Sequence, residues 1–232
     1  MDGAARLGVA LTPAQLEAFG VYAAVLNEWS PRFNLTRVSR PEEIVRVHFL
    51  DSLACLAADP FPQGARLLDV GSGAGFPGVP LKIARPDFQL TLLEARRRRA
   101  AFLDLLVAKL ALAVEVVHGR AEILGHQSGW RERYDRVVSR ATASLPLLFE
   151  LCMPFVRVGG RAVLPKGPHA HEEVVPSRRA LEHLGGEVVA VCTVSPGPGM
   201  KPRNIIVVQK VRPTPDQLPR RQLGIARKRP LL

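Results

Sequence analysis

Apolar residues along this chain follow two rhythms, and the change from one to the other divides it. Leu16, Phe19, Tyr22, Ala23, Leu26 and Trp29 recur at helical spacing and predict a helix over 12–29. Thr12-Pro13-Ala14-Gln15 opens it as a capping box with proline in the first turn, and Ser30-Pro31 is expected to end it. Ser39-Arg40-Pro41-Glu42 caps a second helix running to about Ala57, with Ile44, Val47, Leu50 and Leu53 on or near one face.

From Arg66 onward short apolar runs alternate with amphipathic stretches. Strands are expected at 66–70, 89–93, 114–117, 135–139, 161–165, 187–194 and 204–210. Helices are expected at 77–84, 96–111, 144–156 and 170–184. The first five strands are nearly all apolar, as parallel strands covered on both faces are. Only Pro196-Gly197-Pro198-Gly199 separates the last two, which predicts an antiparallel hairpin. The expected fold is α/β, a Rossmann-like, mostly parallel seven-stranded sheet. It comprises a helical extension over 1–60, the sheet domain over 61–212 and a tail over 213–232.

The first strand leads into Asp69-Val70-Gly71-Ser72-Gly73-Ala74-Gly75-Phe76-Pro77-Gly78. Strand, tight glycine turn and helix start bring backbone N–H groups close to a nucleotide. A dinucleotide fingerprint needs a third glycine where Phe76 stands. G-x-G-x-G after the acid Asp69 has instead the form of the first motif of S-adenosylmethionine-dependent methyltransferases. Taken alone, the loop also fits a structural turn or another nucleotide. In such sheets ligands sit at the carboxyl ends of the strands. The second strand ends at Glu94, suited to ribose hydroxyls or to the start of the next helix. The third runs into His118-Gly119-Arg120-Ala121-Glu122, placed to flank an adenine, and the fourth ends at Arg140-Ala141.

That fourth strand has no Asp/Asn-Pro-Pro-Tyr segment for exocyclic amines. It also lacks the cysteine that carbon five of pyrimidines requires, Cys152 lying well along the next helix. A nucleophile without a proton, such as guanine N7, needs only positioning. Arginine is a frequent partner of that atom, so Arg140 is the first candidate to touch donor or base, a structural role being the alternative. His48, Asp51 and Ser52 share a helix face and either buttress the loop or form an ordinary polar face. Asn34 fixes a turn or reaches the site. Lys166 suits a phosphate or solvent.

The net charge of +11 is concentrated. From Lys201 onward come Arg203, Lys210, Arg212, Arg220, Arg221, Arg227, Lys228 and Arg229, against the single acid Asp216. The excess favours a polyanion, nucleic acid before membrane, since no apolar run approaches the ~20 residues of a span; a solubilising tail is the alternative. Beyond Arg212 the segment is expected to be weakly ordered by itself. Cys55, Cys152 and Cys192 are far apart, without metal spacing, and read as buried thiols of a reducing cytosol. No signal peptide precedes them.

With Asn34-Leu35-Thr36, Val47-His48-Phe49-Leu50-Asp51-Ser52, Leu68-Asp69 through Val79-Pro80, Leu92-Leu93-Glu94, Val138-Ser139-Arg140-Ala141, Lys166-Gly167 and Pro219-Arg220-Arg221, the chain resembles the bacterial small-subunit ribosomal RNA guanine-N7 methyltransferases over nearly its whole length. The resemblance implies S-adenosyl-L-methionine as donor, S-adenosyl-L-homocysteine as product and one guanine of 16S rRNA as acceptor, in naked RNA or a small-subunit particle. It also implies a cytoplasmic enzyme whose loss gives low-level streptomycin resistance; nothing demands more than a monomer. Donor-binding residues would be Asp69, Gly71, Gly73, Gly75, Phe76, Glu94, Ala95, Arg96, Ala121, Glu122 and Arg140. Asn34, His48, Lys166 and Arg140 would serve the reaction. Arg97, Arg98, Arg99, Lys166, Lys201, Arg203, Arg220, Arg221, Arg227, Lys228 and Arg229 would hold RNA. Ala226-Arg227-Lys228-Arg229 departs from the family's Pro-Asn-Lys-Lys-like ending but keeps its charge. The rivals are a methyltransferase of another RNA or of a small molecule, and a non-catalytic RNA-binding protein.

Overall fold

The computed structural model describes residues 2–140, 143–195, 202–229 and 231. Helices α1 (Asp2–Arg6) and α2 (Pro13–Phe33) come first, followed by α3 (Pro41–Ile44), a π-helical turn (Val45–Leu50) and α4 (Asp51–Ala58) in unbroken succession. The alternating part runs β1 (Arg66–Val70), α5 (Gly78–Ala84), β2 (Gln89–Glu94), α6 (Arg97–Lys109), β3 (Val114–His118), α7 (Ala121–Leu124), β4 (Tyr134–Val138) and α8 (Leu145–Cys152). After a 3₁₀ turn come β5 (Val156–Lys166), α9 (Ala170–His183), β6 (Gly186–Val194), β7 (Arg203–Lys210) and α10 (Leu223–Lys228). Among the described residues no helix is long and apolar enough to cross a membrane.

The sheet order is β3-β2-β1-β4-β5-β7-β6; β1 to β5 are parallel, and β7 inserts antiparallel between β5 and β6. The chain leaves β1 in both directions, so the crevice of a doubly wound sheet opens at the carboxyl ends of β1 and β4. Alternation along the strands builds two cores. Leu67, Leu92, Val138, Val163 and Val207 face the side covered by α2, α4, α5 and α6. Leu68, Leu93, Val137, Ala162 and Val208 face α8 and α9. β3, the edge strand among the described residues, departs from the expected double coverage: Glu115 and His118 are exposed.

Pro31 does not end α2. Trp29 and Phe33 meet as a tilted pair with centroids 5.5 Å apart, and Phe33 meets Phe102 of α6 at 6.4 Å, which outweighs the single backbone bond a proline removes. The helix stops at Asn34, left-handed at φ 51°, with its N–H on the Ser30 carbonyl. The capping box forms as expected, and Gln15 Nε2 also donates to the last carbonyls of α5, Ile83 (2.8 Å) and Ala84 (3.1 Å). Ser39 does not cap α3: the cap position is Arg40, without a side-chain bond.

The tail is more firmly held than its composition predicts. Buried Glu150 accepts from the N–H of Arg220 and from its guanidinium (2.8 and 2.5 Å), while Arg131 donates to the carbonyls of Gly125, Thr214 and Leu218. Buried Lys210 donates to Met153 O at 2.7 Å and to Thr214 Oγ1. The Pro196–Gly199 turn lies outside the described residues.

Asp59, just after α4, fastens the extension to the sheet. Its oxygens accept from Arg136 of β4 (2.6 Å) and Arg161 of β5 (2.5 Å), and its side chain is 1% exposed. Asp59→Ala leaves the buried Arg136 guanidinium without its carboxylate and unties the partly exposed Arg161, so it should lower unfolding free energy by about 3–5 kcal/mol. Urea denaturation measures this; a loss near that of a surface substitution would contradict the fastening.

Candidate functional site

The glycine turn after β1 is closed by carboxylates. Asp69 Oδ2 accepts the Gly78 N–H (2.9 Å), while Oδ1 is buried without a partner. Glu94 Oε2 accepts the Gly73 N–H (2.9 Å) and Oε1 the Arg96 N–H (2.7 Å), tying the turn to the end of β2. Two glycines are dictated by space and φ. At Gly75 (φ +100°) a Cβ would stand 2.6 Å from Tyr22 Oη and 2.9 Å from Val79 Cγ2. Gly71 (φ +73°) has nothing within 4 Å of its would-be Cβ, so the turn is open on that side. Ala95, Arg96 and His118 are exposed beside it, and His118 Nε2 approaches the Ala95 carbonyl at 3.2 Å. Ala121 and Glu122 are buried at the start of α7.

The extension forms the floor of this turn. Tyr22 donates its hydroxyl to the Ala74 carbonyl (2.6 Å) and stacks on Phe76, with centroids 5.2 Å apart and planes 16° apart. On the same Phe76 lie His48 (4.6 Å, 21°) and, 4.7 Å from the ring centroid, the guanidinium of Arg140. Arg140 donates from Nη1 to the Val47 carbonyl (3.1 Å) and Asp51 Oδ2 (2.9 Å), and from Nη2 to His48 Nδ1 (3.1 Å). Accepting there makes His48 a neutral imidazole with its proton on Nε2, donated to Thr36 Oγ1 at 2.8 Å. Burial and the Arg140 charge hold His48 down to about 4. On the far side of Asp51, Arg203 Nε stands 2.7 Å from Oδ1 as an ion pair, outside hydrogen-bond geometry.

Val47, His48 and Asp51, which all reach this one guanidinium, lie on or directly after the π turn, an irregularity that recurs at functional sites. Ser52 does not join them; its hydroxyl donates to the His48 carbonyl (2.6 Å) within the helix. Beyond Arg140 a cleft of about 340 Å³ opens, walled by the β5–α9 connection, Glu173 and Arg203.

The remaining predicted residues divide. Asn34 acts through its backbone, capping α2 and accepting from Arg99 Nη2 at 3.2 Å. Lys166 donates to the Ala143 carbonyl (2.8 Å) and to Glu173 (3.0 Å) on the wall of the cleft. Lys166, Arg203 and Arg220 are thus paired with acids inside the fold, whereas Arg97, Arg98, Arg221, Lys228 and Arg229 are exposed. Ala141, Lys201 and the side chain of Arg227 lie outside the described residues. Burial pushes the Cys152 thiol up to about 12, so it supplies no thiolate. Sequence reading missed Tyr22 as part of the site, and with it Phe49, whose ring lies 5.2 Å from Tyr22 and 6.1 Å from Phe76. A tyrosine on an otherwise apolar helix face was the available signal, because a buried hydroxyl needs a partner.

A profile of the family GidB, described as rRNA small subunit methyltransferase G, matches residues 15–204. The chain is 46% identical over 226 residues to the ribosomal RNA small subunit methyltransferase G of Roseiflexus castenholzii, covering 97% of this chain and 95% of that one. With the protein of the same name from Alkaliphilus oremlandii it is 42% identical over 221 residues, covering 95% and 92%. Among solved structures, the fibrillarin pre-rRNA processing protein of Methanococcus jannaschii superposes with a TM-score of 0.52 at 17% identity, over 69% of this chain and 75% of that one; this is a likeness of fold.

His48 and Asp69 give opposite pH dependences. The unfolded chain takes up a proton on histidine near 6.5 that the folded state refuses until about 4, so this contribution to stability is full above about pH 6.5 and lost as pH falls toward 4. Burial raises Asp69 from 3.8 to about 7; its contribution is full below the unfolded value and lost as pH rises through 7. Between about pH 4.5 and 6.5 the two slopes oppose. Asp69→Asn removes one of them, and its unfolding free energy should rise by about 2 kcal/mol across that window, while His48→Gln should show a fall. Urea midpoints at the two pH values decide; parallel profiles for both variants would contradict the assignment.

Proposed function

The chain belongs to the GidB family, rRNA small subunit methyltransferase G, and is an S-adenosylmethionine-dependent rRNA methyltransferase; from that premise we propose that the methyl group goes to N7 of one guanine in 16S rRNA. One observation carries the choice of atom: the groups packed around Arg140 are not available to take a proton. His48 Nδ1 already accepts from Arg140, Asp51 lies between two arginines, and the Tyr22 hydroxyl is donated to a carbonyl and raised well above its usual range by burial. N7 of guanine carries a lone pair and no proton, so positioning and electrostatics suffice.

The residues around the turn suit the donor. Gly71 leaves an open face, Glu94 keeps unused lone pairs at the end of β2, and Phe76 offers the edge of a stack. Glu94, Ala95, Arg96, Ala121 and Glu122 would hold the nucleoside, with Gly71 and Phe76 near the amino-acid end. When bound, S-adenosyl-L-methionine supplies a methyl group on a sulfonium centre. Arg140 lies between turn and cleft, where a cation favours the N7/O6 edge of a guanine. Exposed Arg97, Arg98, Arg221, Lys228 and Arg229 attract the phosphate backbone. The enzyme acts as a cytoplasmic monomer, on naked rRNA or on a small-subunit particle.

Incubation of 16S rRNA or small subunits with enzyme and donor, followed by reduction and aniline treatment, cuts at N7-methylguanine. Scission at a single guanine, dependent on donor, is expected; absence of scission on both substrates would refute the acceptor. Replacing Arg221 and Arg229 together with glutamine should weaken RNA binding and flatten the plot of log affinity against log salt by about 1.4 to 1.8. An unchanged slope would remove the tail from the RNA interface.

A further inference from the structure

The cleft beyond Arg140 carries two carboxylates, and they differ in availability. Asp51 has a side chain 4% exposed and is bracketed by Arg140 and Arg203. Glu173, on α9, has a side chain 36% exposed. Its Oε2 accepts the Leu145 N–H of α8 (3.1 Å) and Lys166 Nζ of β5 (3.0 Å), and Oε1 lies 2.9 Å from the same ammonium. Three elements therefore fix this carboxylate. Two oxygens accept about four hydrogen bonds, so lone pairs remain for something in the cleft. Pro165, Gly167 and Pro168 on the connecting segment add flat, weakly hydrated walls, which suit a planar base.

If N7 is the accepting atom, the N7/O6 edge of the guanine faces Arg140 and the donor. The opposite edge, with N1–H and the N2 amino group, then turns toward the far wall. Both of its groups are donors. Adenine presents an unprotonated N1 there, and a carboxylate would oppose that lone pair. We infer that Glu173 reads the Watson–Crick edge of the target guanine, accepting from N1–H and N2–H₂, while Lys166 and the Leu145 N–H hold the carboxylate in position. The inference rests on the N7 reading above. It gives the cleft a basis for choosing guanine that the phosphate contacts cannot supply.

The test uses the complete enzyme and a ligated 16S rRNA carrying inosine, which lacks the N2 amino group, at the guanine mapped by aniline scission. Methyl incorporation from the donor is measured. Wild-type kcat/KM should fall about 10- to 100-fold on inosine, the range for one charge-assisted hydrogen bond. Glu173→Gln should lose a comparable factor on guanine, bind donor as wild type does, and treat guanine and inosine alike within about twofold, the signature of a coupled pair. Equal wild-type rates on guanine and inosine would overturn the inference without any variant. So would a Glu173→Gln enzyme that discriminates as wild type does. If unmodified guanine gives no scission at all, the N7 reading itself fails, and this inference with it.

Discussion

A guanidinium at the end of a buried parallel strand is the constraint on which the rest of the site depends. Arg140 leaves β4 between two packed layers, where an uncompensated charge would be costly. Its compensation comes from one stretch of the extension: the Val47 carbonyl, the His48 lone pair and the Asp51 carboxylate. These groups lie on or directly after the π turn Val45–Leu50, on the side that faces Arg140. Asp51 then needs Arg203, and His48 needs Thr36 to fix its tautomer.

Through the same contact the extension becomes part of the glycine turn rather than a cover over it. Phe76 carries Tyr22, His48 and Arg140 on or near its ring, and Gly75 exists because Tyr22 fills the space a Cβ would need. A shift of α2 or of the π turn would therefore be felt at the turn that faces the donor. Close packing transmits such shifts instead of absorbing them.

Most strands were legible because period and apolar content are local properties: all but β5 fall within a residue of their predicted bounds, while β5 begins at Val156, five residues early and where a helix was expected. What failed were features set at a distance. Pro31 reads as a stop until Phe102, 71 positions on along the chain, is seen to hold the last turn. Ser52 shares a face with His48 in any helix, and nothing in the residues says that its hydroxyl turns back onto the backbone. The tail has the composition of a loose segment, and its anchor, Glu150, lies 70 residues from Arg220. Arg140 and Phe76 were legible because motif spacing put them at strand ends. Their mutual contact was not, since it runs through an extension whose docking has no signature in sequence.

Charge is partitioned accordingly. Asp51, Asp59 and Glu150 are spent on arginines inside the fold, and Asp69 is raised to about 7, so near neutrality it contributes less than a full negative charge. The excess behind the formal +11 is presented to solvent by groups such as Arg97, Arg98, Arg221, Lys228 and Arg229. Such an excess attracts any polyanion and raises encounter rates, but it carries no information about a base. Selection therefore has to come from polar groups that are fixed, partly desolvated and still unsatisfied. Around the cleft Asp51 is buried between Arg140 and Arg203, and the partly exposed carboxylate with capacity to spare is Glu173.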